Sequence, residues 1–205
     1  ATHGEPSEQN AHPHICDDSV ALVHNGIIEN HAELREQQKA EGFKFTSETD
    51  TEVAVHQIEH YLKTDKDLLD AVRHAVADFD GAYALGVVSV DNPGRMVAAR
   101  SGSPLVIGVG RGEYFVASDA SPLAGSTDRI VYLADHEVAL LTADSLRVTH
   151  RDHVQVRHDV HVLEMESGEV DRGGYAHYML KEIFEQPESI RNVKRGPQDR
   201  YAATS

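Results

Sequence analysis

Polar and apolar positions in the first part of the chain predict a short strand followed by helices. After a polar opening segment, the apolar run within residues 19–24 predicts a strand. Asn30 followed by Glu33 has the spacing of a capping box and predicts the start of a first helix, which Gly42 ends. The alternating residues 43–45 predict another short strand.

Two further helices are predicted before residue 82. Thr49 and Glu52 repeat the capping-box spacing and predict the start of the second helix. The third helix is predicted to begin at Thr64 or Asp65 and to end at residues 80–81. Its buried face is predicted from residues spaced at the helical period, namely Leu68, Val72, Val76 and Phe79.

The pattern changes to strands from residue 82 onward. Residues 82–90 are almost continuously apolar, as expected of a strand buried on both faces. Further strands are predicted at residues 96–100, at 105–109 paired with 114–117, and at 130–133 paired with 138–142. Weaker strand patterns follow Asp144. Helices grouped ahead of many strands indicate an α+β fold with layered sheets.

The last predicted element is a helix at residues 175–187. Its larger apolar side chains can contact a partner surface: Tyr178, Ile183 and Phe184. The sequence beyond it is polar. We therefore expect a domain at residues 1–174 and a connector at 175–205 that leads toward a second domain.

Composition and charge exclude several classes of function. The 205 residues are 40% apolar and 26% charged, which is typical of a globular protein. Acidic residues outnumber basic ones by 34 to 19, and the net charge of −15 disfavours nucleic acid or an anionic membrane as a partner. No apolar run is long enough to span a bilayer. Cys16 is the single cysteine, which excludes an internal disulfide and fits a reducing cytoplasm.

Asn25 and Gly26 are the first candidates for chemistry. They follow the predicted strand at residues 19–24 and place an amide side chain beside an unhindered backbone N–H. Two neutral donors of this kind can stabilise an oxyanion in acyl transfer. Asn-Gly is also the commonest two-residue hairpin signal, so a turn remains an alternative. The next segment predicts a helix rather than a returning strand.

Asp50 and Cys16 have competing interpretations. Asp50 stands in the first turn of the second predicted helix, where a carboxylate is favoured by the helix dipole, but it can also bind a cationic group. Cys16 precedes Asp17 and Asp18, whose charges raise rather than lower the pKa of a thiol. We therefore expect Cys16 not to act as a nucleophile.

The fourteen histidines do not predict a metal site. Two pairs invite a metal interpretation, His12 with His14 and His158 with His161, but neither has the spacing of a zinc motif. We expect no metal and no cofactor.

Three segments carry a resemblance to a known family: ATHG at residues 1–4, HNGIIEN at 24–30 and SETDTEV at 47–53. The chain resembles the glutaminase domain of the amidotransferases whose nucleophile is an N-terminal cysteine. The resemblance implies an N-terminal-nucleophile hydrolase fold with four layers, α, β, β and α. Because the family's nucleophile precedes ATHG, it also implies that the first strands are absent and that the chain alone is inactive.

The resemblance assigns roles to five residues. It implies that Asn25, through its side-chain amide, and Gly26, through its N–H, form the oxyanion hole. It implies that Thr2 and His3 hold the α-carboxylate end of glutamine. Asp50 would bind the α-ammonium group of the same substrate.

Residues 27–30 and the KEI–EQP helix at 181–187 resemble one branch of this family. In that branch the released ammonia passes to fructose 6-phosphate in a second domain. The implied partners are glutamine, fructose 6-phosphate and further copies of the enzyme. Alternatives are another member of the class, such as phosphoribosyl-pyrophosphate amidotransferase or asparagine synthetase, or an inert module.

Overall fold

The computed structural model describes residues 4–150, 154–162 and 174–195, with side chains up to residue 187. The chain divides into two compact units with a boundary between residues 164 and 165. The first unit contains β1 (His14–Cys16), β2 (Val20–Ile28), α1 (His31–Ala40), α2 (Asp50–Asp65), α3 (Leu68–Ala77), β3 (Gly81–Ser89), β4 (Arg95–Ser101), β5 (Val106–Val109), β6 (Tyr114–Ala117), a 3-10 turn (Ser121–Leu123), β7 (Arg129–Tyr132), β8 (Glu137–Thr142), β9 (Leu146–His150), β10 (Gln155–Val156) and β11 (His161–Val162). The second unit contains α4 (Tyr178–Arg195).

The strands form two antiparallel sheets. The first sheet has seven strands in the order β1-β2-β3-β4-β8-β9-β10, and the second has four in the order β11-β7-β5-β6. β2 and β3 are paired along the whole length of both strands, from Val20 opposite Ser89 to Ile28 opposite Gly81. This long pair forms the frame on which the candidate site is built.

The first sheet is covered on one face by α1, α2 and α3, and its other face packs against the second sheet. The helix side is filled by fully buried residues that include Leu22, Ile28, Ile58, Leu68 and Leu85. The contact between the sheets contains Ala84, Ala98, Ile107, Val131 and Ala139. Burial of each large side chain contributes about 1.5–3 kcal/mol. The described part of the first unit is therefore layered as helices, sheet and sheet.

The start of α2 partly matches the predicted capping box. Thr49 is the N-cap, and its hydroxyl accepts a hydrogen bond from the backbone N–H of Glu52. The Glu52 carboxylate does not return to Thr49. It accepts hydrogen bonds from the backbone N–H groups of Thr46 and Ser47, each at 2.7 Å. The carboxylate therefore orders the loop before the helix.

The first helix starts where predicted, with Asn30 at the N-cap position, but its predicted side-chain cap does not form, and the predicted start of the third helix was wrong. Asn30 makes no side-chain capping bond, because its amide instead donates to the carbonyl of Asp78 and accepts from the N–H of Asp80. The third helix begins after Asp67, whose carboxylate caps the N–H groups at its start, rather than at Thr64 or Asp65. Tertiary contacts in the first case, and a better cap in the second, override the local pattern.

The strand predictions were correct at residues 82–90, 96–100, 105–109 and 114–117, within about two residues at each end. Two others were wrong. Residues 43–45 form no strand, because Phe43 and Phe45 instead pack around the ring of His56. β7 and β8 both exist but are not paired, because β7 joins the second sheet and β8 joins the first.

The helix of the second unit is longer than predicted. α4 continues through Pro187 to Arg195 rather than ending at the proline. Within this unit Tyr178, Ile183 and Phe184 are each more than half exposed. None of the described helices has both the length and the apolar character needed to cross a bilayer. The domain boundary at residues 174/175 remains a prediction.

Candidate functional site

Asn25 and Gly26 lie inside β2 rather than after it. Asn25 is opposite Ala84 of β3, and Gly26 is opposite Tyr83. This pairing excludes the hairpin-turn alternative. The expectation that the pair closes a strand was also wrong, because β3 supplies pairing groups for β2 as far as Ile28.

Gly26 has a backbone conformation and surroundings that require glycine. Its φ angle is +125°, which side-chain-bearing residues rarely adopt. A Cβ at this position would overlap the carbonyl oxygen of Ala82 and would lie 2.7 Å from Oγ of Ser103. The backbone therefore comes close to its neighbours here, as expected where a main-chain group has a specific task.

Asn25 faces a cleft between the two sheets. Neighbouring side chains of a strand point to opposite faces, so exposed Asn25 and buried His24 lie on different sides of the first sheet. The cleft has a volume of about 190 Å³, and its lining includes Ala84 and Gly86 of β3 and Val116 of β6. Asn25 thus supplies an amide group to a cleft whose lining is mostly apolar.

Asp50 is fixed against the same strand from the helix side. It is the first residue of α2, its side chain is 1% exposed, and its carboxylate accepts a 2.9 Å hydrogen bond from the backbone N–H of Ile28. The same carboxylate oxygen lies 3.7 Å from Nδ1 of His24. A buried carboxyl group thus contacts the strand two residues beyond Gly26.

Histidine side chains from β2, from β1 and from the segment before β1 contact hydroxyl groups at the start of α2. Nδ1 of His24 lies 3.1 Å from the hydroxyl of Thr51, and Nε2 of His12 lies 3.4 Å from that hydroxyl. His14 reaches the hydroxyl of Thr49 at 3.1 Å. Burial lowers the pKa values of His12 and His14, so both are neutral hydrogen-bonding groups near pH 7.

The loop before Asp50 is held by two further charged groups. The Arg35 guanidinium donates to the carbonyl groups of Ser47 and Thr49, at 3.0 and 2.7 Å. Burial alone would raise the pKa of Glu52, but hydrogen bonds from Ser47 and Thr46 lower it overall. Ionised Glu52 therefore holds one side of the loop while Arg35 holds the other.

Sequence reasoning missed Arg35, His24 and Thr51 as supports of this site. His24 and Thr51 carried a signal, because they directly adjoin Asn25 and Asp50. Arg35 comes close to the site through folding of α1 against α2, which no local pattern shows.

Thr2 and His3, expected to bind substrate, lie outside the described residues. The segment that follows them is described. Asn10 accepts from the N–H of Glu48 at 3.1 Å and donates to the carbonyl of Glu5 at 2.8 Å. A Cβ at Gly4 would lie 3.3 Å from the Cβ of Glu48. The chain just beyond His3 therefore lies beside the loop that leads to Asp50.

Cys16 has the environment of an inert thiol. Its side chain is buried in β1, and burial, with the charges of Asp17 and Glu59, raises its pKa to about 12. The thiolate is thus scarce at neutral pH. Cys16 borders a separate cleft of about 390 Å³, together with His56 and Lys63.

In the described ranges, no group of three or more histidine, cysteine or acidic side chains is placed to hold a metal ion. The two histidine pairs considered from the sequence differ in their surroundings. His12 and His14 contact the hydroxyls at the start of α2, as given above, and Nε2 of His158 lies 2.8 Å from the Glu137 carboxylate.

Comparison with known proteins gives the class first. Residues 3–125 match the family described as glutamine amidotransferase domain. The chain belongs to this family. Its fold is also found in a solved structure of glutamine phosphoribosylpyrophosphate amidotransferase from B. subtilis, with a TM-score of 0.61 and 25% identity. That likeness covers 72% of this chain and 33% of the other. The fold is therefore that of the class II glutamine amidotransferases, which are N-terminal-nucleophile hydrolases.

Two relatives with higher identity belong to one particular enzyme within this class. The chain is 48% identical over 199 residues to the glutamine–fructose-6-phosphate aminotransferase (isomerizing) of Chlorobaculum tepidum, which covers 96% of this chain and 32% of that protein. It is 50% identical over 193 residues to the enzyme of the same name from Acinetobacter baylyi, covering 94% and 31%. The chain spans about a third of the length of these relatives.

Proposed function

We propose that this chain is the glutamine-hydrolysing domain of an enzyme that uses the released ammonia for amino-sugar synthesis. Membership of the amidotransferase family supports the first part. The observation that carries the proposal is the placement of Asn25 and Gly26 on one strand, with the buried Asp50 carboxylate bound to that strand two residues further on.

In the proposed reaction a cysteine thiolate other than Cys16 attacks the carboxamide carbon of glutamine. The carbonyl oxygen becomes an oxyanion, which Asn25 and Gly26 stabilise by donating hydrogen bonds. Collapse of this intermediate releases ammonia and leaves a thioester, which water hydrolyses to glutamate. Asp50 binds the α-ammonium group of the substrate, and Thr2 and His3 bind its α-carboxylate.

The proposed acceptor of ammonia is fructose 6-phosphate, bound in a second domain of the full-length protein. The names of the relatives that are 48–50% identical support this choice. In this proposal residues 175–205 connect the two domains, and the enzyme is a cytoplasmic homo-oligomer. The phosphoribosyl-pyrophosphate amidotransferase shares the fold at only 25% identity. The higher identity to the other relatives therefore favours fructose 6-phosphate over phosphoribosyl pyrophosphate as the acceptor.

Transfer of labelled nitrogen tests the acceptor. The full-length enzyme is given glutamine carrying ¹⁵N in its amide, together with fructose 6-phosphate, and the products are followed by NMR. We expect the label in glucosamine 6-phosphate. Label found instead in phosphoribosylamine, when phosphoribosyl pyrophosphate is supplied, would assign the chain to the other branch. Absence of glutamate release in either mixture would support an inert module.

Replacement of Asn25 tests the oxyanion site. In the full-length enzyme Asn25→Ala should lower the kcat of glutamine hydrolysis by roughly 100- to 1,000-fold, the usual cost of one such donor. Asn25→Asp keeps the size of the side chain but replaces the donor with an anion, so it should be at least as damaging. Because Asn25 is exposed, neither change should alter the melting temperature greatly. A loss of only a few-fold in both variants would count against this role.

A further inference from the structure

The loop that follows β4 rests directly against the strand segment that carries Gly26. A Cβ at Gly26 would lie 2.7 Å from Oγ of Ser103. One at Gly102 would lie 2.7 Å from Cβ of Ala82, the residue whose carbonyl oxygen borders Gly26. Gly102 also forms an isolated parallel bridge with Tyr83, which is opposite Gly26 in β3. The positions of this loop and of Gly26 therefore depend on each other.

Arg100 and Asp135 fix the loop by a set of hydrogen bonds. Nε of Arg100 donates to the carbonyl oxygen of Ser103 at 2.7 Å, and Nη1 donates to the carbonyl oxygen of Leu133. Nη2 of Arg100 lies 3.6 Å from the Asp135 carboxylate. That carboxylate accepts a 2.8 Å hydrogen bond from the backbone N–H of Gly102. Both sides of the loop turn are thus bound.

The groups that hold the loop are themselves anchored in the sheets. The backbone of Arg100 is paired with Ala84 of β3 on one side and Glu137 of β8 on the other. Leu133 and Asp135 lie in the connection between β7 of the second sheet and β8 of the first. The loop is therefore tied to both sheets rather than only to its own flanking strand.

We propose that Arg100 and Asp135 are positioning residues for the Gly26 N–H in glutamine hydrolysis. The inference rests on the proposed function of Gly26. In this proposal neither Arg100 nor Asp135 contacts the substrate. A preorganised donor is effective only at the place where the oxyanion forms, and a displacement of about 1 Å in such a site can cost roughly 100-fold in rate. The bonds to Gly102 and Ser103 keep the loop pressed against Gly26 and so hold that donor in place.

The test compares two replacements of Asp135 in the full-length enzyme. Asp135→Ala removes the acceptor for Gly102, and we expect the kcat of glutamine hydrolysis to fall about tenfold, with the KM for glutamine unchanged within about twofold. Asp135→Asn keeps an oxygen that can accept from Gly102, so it should restore most of the lost kcat. Arg100→Lys, which cannot bind three partners at once, should resemble Asp135→Ala.

A matched control comes from the other end of the same strand. Arg95 begins β4 and pairs with Asp67 at 2.7 Å, so Arg95→Lys makes the same change of side chain at an ion pair far along the strand and should leave kcat unchanged. Wild-type kcat in Asp135→Ala, with or without a lower melting temperature, would overturn the proposal, as would equal damage by Asn and Ala. Asn25→Ala is measured in parallel. If it retains turnover the proposed function fails, whereas normal kcat in Asp135→Ala beside an inactive Asn25→Ala refutes only the positioning role.

Discussion

At the scale of single residues, Gly26 is constrained both by its own backbone and by its neighbours. Gly26→Ala combines a φ angle of +125° with an overlap between the new methyl group and the Ala82 carbonyl oxygen. We expect the free energy of unfolding to fall by more than the roughly 1–3 kcal/mol that such a backbone conformation costs alone. Urea denaturation measures the change.

The variant Gly112→Ala separates the cost of the backbone conformation from the cost of the steric overlap. Gly112 has a φ angle of +72°, and a Cβ there would meet no atom within 4 Å. The loss of unfolding free energy in Gly112→Ala should therefore reflect only the cost of placing a side-chain-bearing residue at a positive φ angle. Equal losses in the two variants would show that the close contact of Gly26 with Ala82 is relieved at no cost.

Asp50 separates substrate binding from helix stability. Asp50→Asn removes the negative charge but keeps an oxygen that can accept from Ile28. We expect the KM for glutamine to rise by about 30-fold or more, corresponding to about 2 kcal/mol for an unpaired ammonium group, while the melting temperature changes little. Asp67→Asn, at the start of α3, is the matched control and should leave KM unchanged. A lower melting temperature with normal KM would make Asp50 only a helix-start residue.

The identities of the candidate residues could be predicted from short motifs, but their supports could not. Asn25, Gly26 and Asp50 were singled out because amide, glycine and carboxylate each suit one part of a known chemistry. Arg35 contacts the loop before Asp50 only after α1 and α2 have folded together. A residue whose role depends on such distant contacts leaves no periodic or motif signal in the sequence.

At the scale of elements, the start of α2 should be sensitive to acid. Glu52 binds the Thr46–Ser47 loop in its ionised form, and its pKa is lowered in the folded state. Its contribution to stability is therefore present above the unfolded value of 4.5 and is lost as the pH falls through the lower, folded value. The difference in unfolding free energy between wild type and Glu52→Gln should shrink below about pH 4.5. A difference that stays constant from pH 7 to pH 3 would contradict this account.

The helix α4 is expected to gain protection from a second domain. Tyr178, Ile183 and Phe184 are exposed within their own unit. We expect backbone amides of residues 178–187 to exchange faster in the 205-residue chain, as a monomer, than in the full-length protein. Amides of α2 provide the control, since their protection should be the same in both. Equally slow exchange of α4 in the two proteins would contradict the docking prediction.

Element types were easier to predict than their partners. The apolar stripe of α3 and the continuous run of β3 are set by local spacing, and both elements formed. The pairing of β7 with β8 was wrong because neighbouring strands in sequence usually pair, whereas here their apolar faces complete two different sheets. Asn30 likewise has the local pattern of a cap but binds Asp78 and Asp80 instead.

At the scale of the whole molecule, the α+β class followed from the order of helices and strands, and the layering follows from which faces are apolar. The helices cover one face of the first sheet, and the second sheet covers the other. What the pattern could not predict is the strand order, because β4 lies beside β8 rather than beside β5. The choice depends on side-chain packing between layers, which no single segment contains.

This strand order has a consequence for how the chain reaches its native state during synthesis. β3 and β4 are joined by a short turn and can pair as they emerge, whereas β8 can join β4 only after β5, β6 and β7 of the second sheet have been made. Closing so long a connection is entropically slow compared with closing a hairpin. In pulse-labelled refolding we expect amides of β8 to become protected later than those that join β3 to β4. Because Asp135 lies just ahead of β8, the contact that holds the loop after β4 would form later than the β3–β4 hairpin, so a newly made chain would have this hairpin before the loop is fixed against Gly26.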